Sequence, residues 1–228
     1  MKTKRVFRVS ACEGRGDAAL RSRIVGAGRE LFLVRGFVRV TADDIARHLG
    51  ISKATLYRSF PSKEAILQAV TRQIMTEIIA RVEELLADSR LGLPEKLAAL
   101  FGHVGRRISE FGPHLVRDIQ KSAPRVWKEI DDFRRDKINK NFRSILESGR
   151  REGLFRGDVD EDFLLRMFTF LIGEFVNPEA ILRSGRSPAE AFETVIKVFF
   201  QGILTDRGRR DFSIRTPALF EPRKESAS

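Results

Sequence analysis

Residues 41–67 read TADDIARHLGISKATLYRSFPSKEAIL, and this stretch decides the fold. Thr41 stands ahead of Asp43 and Asp44, so a side-chain oxygen caps free backbone N–H groups while two acids sit in the positive first turn of a helix. That helix stops at Gly50. Ser52 caps a second, short helix with Leu56 and Phe60 one turn apart, and Pro61 ends it. Two helices joined by a short connection that contains glycine form a helix-turn-helix. With Leu56 and Phe60 turned inward, a step of about 100° per residue places Ala54, Thr55 and Arg58 outward and Tyr57 and Ser59 on the flanks. A small, polar outward face lets a backbone approach base edges in the major groove. There Lys53 or Arg58 can donate to guanine, and Thr55 can bond a base or touch a thymine methyl. Thr41, Tyr57 and Lys63 lie at the ends and flank, suited to phosphates, and Lys63 also heads the next helix.

Working outward, the same periodicity recurs almost everywhere, and the chain reads as all-α. Ahead of the motif, a helix from about Ala18 to Val34 carries Leu20, Ile24, Ala27 and Leu31 on one side, with Gly36 as its stop. After it, Ile66, Val70, Ile74, Ile78 and Val82 mark a long helix to about Ala87. Further helices follow from Pro94 toward Phe111, from Pro124 to about Gly153, from about Asp160 to Val176, and from the capping box Ser187-Pro188-Ala189-Glu190 to about Ile203. Residues 1–16 read as a basic, disordered arm, 17–63 as the helix-turn-helix domain, 64–205 as a larger helical domain and 206–228 as a tail.

The 228 residues carry a net charge of +11, unevenly spread. Residues 1–63 hold 14 Lys/Arg against 5 Asp/Glu, a surplus of nine, so the basic character sits beside the motif. A polyanion is the implied partner, as nucleic acid or an anionic membrane surface. No run of about 18 apolar residues suits a membrane span, and the start lacks the apolar centre of a signal peptide, so a cytoplasmic location is expected. Cys12 has no partner for a disulfide, and His48, His103 and His114 have no metal-ligand spacing. There is no glycine-rich phosphate loop or nucleophile elbow, which speaks against an enzyme.

The 41–67 string resembles the DNA-binding core of the TetR family of bacterial transcription regulators. The resemblance rests on the Thr cap, the IAxxLGIS turn, the ATLYxxF helix and the SKEAIL helix start. AGRELFLVRGF (27–37) is similar to the family's first helix, and GRREGLFRGDVD (149–160) to a turn common in it. In the family, positions matching Thr41, Lys53, Thr55, Tyr57, Ser59 and Lys63 contact DNA, although the position of Ser59 is often His. With the outward residues and the Ser52 cap, the expected DNA-facing set is Thr41, Ser52, Lys53, Ala54, Thr55, Tyr57, Arg58, Ser59 and Lys63.

The resemblance also implies homodimers paired through the last two helices, which places Phe168, Phe175, Phe192, Val195 and Phe199 in the seam. A helix that is apolar nearly all round agrees, since it needs neighbours on every side. Residues 94–153 are implied to enclose a pocket for a hydrophobic or amphipathic effector, with Phe101, Phe111, Trp127 and Phe142 as its aromatic set. The function implied is a ligand-responsive regulator, most often a repressor, on a palindromic operator of double-stranded DNA, with no cofactor and no membrane partner. The alternative is a ligand-independent architectural scaffold with the same motif.

Overall fold

A computed structural model describes residues 10–111 and 113–215. They form eleven helices: α1 (Ser10–Arg35), α2 (Ala42–Leu49), α3 (Lys53–Ser59), α4 (Lys63–Ala87), α5 (Leu93–Ser109), α6 (Pro113–Ser122), α7 (Pro124–Arg151), α8 (Glu161–Phe175), α9 (Pro178–Ser184), α10 (Pro188–Ile203) and α11 (Asp206–Arg215). The all-α expectation holds. Among the described residues the sole extended pairing is an isolated bridge between Phe155 and Leu204. No described helix is long and apolar enough to cross a membrane.

The chain separates into two compact units. The first holds the described residues up to Ile74 together with Asp118–Lys128; the second holds Met75–Arg117 and the residues from Glu129 onward. The first unit thus extends past residue 63 and recruits a segment from the α6–α7 region.

In the first unit α1, α2 and α3 pack on one another around Ile24, Phe32, Ile45 and Leu56, all sealed from solvent. Gly28 permits a close approach: a Cβ there would lie 2.9 Å from the Cγ2 of Ile66. The caps read from sequence are in place. The Thr41 hydroxyl accepts the N–H of Asp44 at 3.1 Å, and the Asp44 carboxylate accepts the N–H of Thr41 at 2.9 Å, a reciprocal capping box. Gly50, with φ of 65°, closes α2, and the Ser52 hydroxyl accepts the Thr55 N–H at 3.0 Å to open α3. One boundary differs from expectation. α1 begins at Ser10, so residues 10–16 of the expected arm are helical, while residues 1–9 lie outside the described residues. Extending an existing helix needs no new nucleus, and the weak signal from Gly14 and Gly16 concealed that.

The second unit is built around phenylalanine. Phe142 stacks on Phe168 with centroids 4.3 Å apart and meets Phe199 edge-on at 5.4 Å. Phe101 lies 5.0 Å from Phe200 and 6.2 Å from Phe192. Such edge and offset contacts add to the burial of large apolar surfaces. This arrangement bears on two expectations. Phe168, Phe192, Val195 and Phe199 are buried in the chain's own core; Phe175 alone of the expected seam residues is exposed. Phe101 and Phe142 are part of the buried core, Phe111 is partly exposed, and Trp127 falls in the first unit. Room exists elsewhere, in an open groove of about 640 Å³ between α7 and α8.

The segment from 206 is not a tail as far as it is described. α11 is a helix whose Phe212 is 1% exposed and packs beside Phe155, and Arg215 pairs with Glu95 at 3.1 Å. Residues 216–228 lie outside the described residues. α9, which the sequence reading left unassigned, is capped by Asn177, whose side chain accepts the Ala180 N–H at 2.9 Å.

Two outcomes follow from this packing. Phe212→Ala should lower stability by about 3–5 kcal/mol, the usual cost of emptying a buried aromatic site, as read by denaturant unfolding; a loss below about 1 kcal/mol would mean that α11 is no part of the core. The second concerns Asp44. Hydrogen bonds from the Thr41 hydroxyl and N–H, aided by Arg47 and Arg35, hold its carboxyl below the ordinary 3.8. A group depressed in the folded state stabilises above its unfolded pKa, and that support is lost as pH falls through the folded value. The α2 cap should therefore loosen below about pH 3.8, and Asp44→Asn should abolish that transition in an NMR titration of the α2 amides. An identical acid transition in the variant would assign it to another group.

Candidate nucleic-acid interface

α3 divides its residues as the sequence suggests. Leu56 and Phe60 are buried, while Ser52, Lys53, Ala54, Tyr57 and Arg58 are exposed and Thr55 is half-buried. The exposed face is short, cationic at both ends and free of bulk at Ala54, the shape a recognition helix needs to enter the major groove. Lys53 donates to Asp43 of α2 at 3.0 Å, and that hydrogen bond raises its pKa. Both partners stay more than half exposed, so the ammonium can leave this weak surface pair for a better acceptor. Among the described residues Arg58 has no carboxylate partner, and nor has the exposed Arg39 in the α1–α2 turn.

Two arginines that sequence reasoning left in the background set this face. Arg21 of α1 lies 4.1 Å over the Phe60 ring and donates to the carbonyl of Ser59, closing the negative end of α3. Arg23 donates to the carbonyl of Leu49 at the end of α2, at 3.4 Å. Their signal was present as arginines on the polar side of α1, but nothing local told which carbonyls they meet.

Two of the expected contact residues sit differently. Ser59 is 4% exposed, and its Oγ has no hydrogen-bond partner among the described residues. It is the last residue of α3, turned in beside Phe60, so no DNA contact is assigned to it. The Lys63 ammonium donates to the carbonyls of Phe37 at 2.9 Å and Val40 at 2.8 Å and lies 4.2 Å over the Phe37 ring. Burial lowers its pKa, partly offset by Asp118. Two of its three donors thus serve the α1–α2 turn. Thr41 is exposed, with its hydroxyl engaged in the capping box.

Against this geometry, the profile described as "Bacterial regulatory proteins, tetR family" matches residues 24–70, which span the end of α1 through the start of α4. The HTH-type transcriptional repressor KstR2 of Mycobacterium tuberculosis is 30% identical over 149 residues, covering 64% of this chain and 74% of that protein. The HTH-type transcriptional regulator YvaF of Bacillus subtilis is 24% identical over 184 residues, covering 81% of this chain and 95% of that one. Among solved structures, Thermus thermophilus FadR, a TetR-family transcriptional repressor in complex with lauroyl-CoA, aligns with a TM-score of 0.55 at 25% identity over 81% of this chain and 95% of that one. A capped helix-turn-helix with an exposed cationic second helix, in a chain that also holds a Phe-packed helical unit and is matched over most of its length by such regulators, makes this chain a member of the TetR family of bacterial transcription regulators.

Proposed function

We propose that the chain is a dimeric repressor that reads a palindromic operator with α3 and is released by an amphipathic small molecule. The observation that carries the DNA half is the exposed face of α3, where Lys53, Ala54, Tyr57 and Arg58 stand outward on a helix anchored by Leu56 and Phe60. Ser52, Thr55 and Thr41 complete it at the capped helix starts. Residues 17–63 hold this reader, and 64–205 serve effector binding and pairing. Pairing is supported by apolar surface left outside the core: Phe163 (59% exposed) and Phe170 (65%) stand seven residues apart on one face of α8, and Val198 of α10 is 67% exposed. Neighbouring Phe175 can join that surface. One short helix reads few bases, and a two-fold pair reads a palindrome.

The effector half leans on the groove between α7 and α8, where Ile138, Leu165 and Phe170 lie among Arg134, Arg143 and Arg166. Its volume is that of an ordinary ligand site. The groove shares Phe170 with the exposed face of α8, so a molecule bound there would bear on the seam and favour one spacing of the two readers over another. The FadR relative is described with lauroyl-CoA, an amphipathic molecule of this kind. A second reading, a ligand-independent architectural protein, is favoured by the middle-helix aromatics Phe101 and Phe142, which are buried among other rings in the core.

Selection of duplexes from a random library by the purified chain should enrich a palindrome; no enrichment would overturn the DNA reading. On the selected duplex Lys53→Ala and Arg58→Ala should each cost about 1–3 kcal/mol, roughly 5- to 150-fold, with helix content unchanged. Ser59→Ala should bind as wild type.

Phe163→Glu with Phe170→Glu should convert a dimer to monomers by light scattering, whereas Phe168→Glu should unfold the chain; a dimer that survives the first pair places the seam elsewhere. Lauroyl-CoA should release the selected duplex. Failure of a broad panel of amphiphiles to do so would leave the architectural reading.

A further inference from the structure

The α1–α2 turn is held from two sides by groups of opposite charge. From one side Lys63 takes the carbonyls of Phe37 and Val40. From the other, Asp118 of α6, 80 positions along the chain from Val38, accepts the Val38 N–H on its Oδ2 at 3.2 Å. The fit is close. A Cβ on Gly36 would stand 2.8 Å from that same oxygen, and Gly36 has a φ of +80°, so both space and backbone conformation call for glycine there. The turn delivers the chain to Thr41, whose capping box fixes where α2 begins, and α2 carries Asp43 beside Lys53. Asp118–Lys128 belongs to the same compact unit as α1, α2 and α3.

We propose that Asp118 is a positioning residue for DNA reading: by holding the Val38 N–H it fixes the α1–α2 turn, and through Thr41 and α2 it sets the exposed face of α3. It touches no DNA itself. The proposal rests on the reading of α3 as the DNA-binding face. Its sign is what makes it informative. Removing a carboxylate from a unit that binds a polyanion should strengthen binding if charge alone matters. A positioning role requires the opposite.

Asp118→Ala should bind the wild-type-selected duplex about tenfold more weakly at fixed salt, the scale of one lost hydrogen bond to a charged group. The slope of log affinity against log salt should stay the same, because no phosphate contact is removed. Asp118→Asn keeps an oxygen able to accept the N–H and should bind within about threefold of wild type. In hydrogen exchange the Val38 amide should open in Asp118→Ala and stay protected in Asp118→Asn, which reports on the contact even if the alanine variant binds poorly for lack of fold. Unchanged or tighter binding by Asp118→Ala overturns the proposal, as does an Asp118→Asn variant that keeps Val38 protected yet binds as weakly as the alanine variant. A wild-type chain that enriches no duplex overturns the reading of α3 and this role with it. Binding by wild type that is indifferent to residue 118 overturns this role alone.

Discussion

Two carbonyl oxygens, those of Phe37 and Val40, need a donor because the chain turns sharply between α1 and α2 without any helical partner for them. Leaving such groups unpaired away from water costs about 1–3 kcal/mol each. Lys63 answers both with one ammonium and lays it on the Phe37 ring, so three weak requirements are met by a single cation. That cation is itself partly desolvated, and Asp118 offsets the loss. This knot ties the turn that leads into α2 to the first turn of α4. The family resemblance implied a phosphate contact at Lys63, and the packing of this turn reassigns most of its hydrogen-bonding capacity.

The second unit solves a different problem. Phe142, Phe155, Phe168, Phe199 and Phe200 fill one another's gaps, and rings at edge-on or tilted angles leave little free volume. Beside this core lies the arginine-lined groove on α7 and α8. There the guanidiniums are tied to carboxylates, Arg134 and Arg135 sharing Asp131 and Arg143 bridging Glu161 and Asp162. Such exposed pairs are worth little on their own. They hold side chains in place around an apolar floor.

What could be read from sequence was whatever a local rule decides. Thr41, Gly50, Ser52 and Pro61 each mark a helix end through their own backbone or side-chain chemistry, and the inward Leu56 and Phe60 follow from the step of the helix. Ser59 escaped because a regular helical step carries no account of Phe60 leaving the helix, or of Arg21 closing over it. The seam escaped for a related reason: periodicity shows that α8 and α10 are apolar on several sides, but which side meets the chain's own α5 and α7 is decided by tertiary packing. α11 was hidden by its composition. Phe212 and Ile214 are its only large apolar residues amid Arg207, Arg209, Arg210 and Arg215, and of the two only Phe212 is buried. Asp118 carried no local signal at all, since its partner lies 80 positions away.

The pinned cations of the first unit bear on how quickly such a protein finds its target. Arg21, Arg23 and Lys63 are committed to carbonyl oxygens, which do not cancel their charge. They therefore add to the long-range field that draws the unit toward a polyanion, while their hydrogen bonds stay at home when it arrives. These side chains thus add to attraction at a distance, while the proposed reading gives the grip on contact to Lys53 and Arg58. On the proposed reading of α3, substitutions at the exposed Arg58 and Lys53 would act on how long an encounter lasts, and the buttressing arginines of α1 on how often one begins.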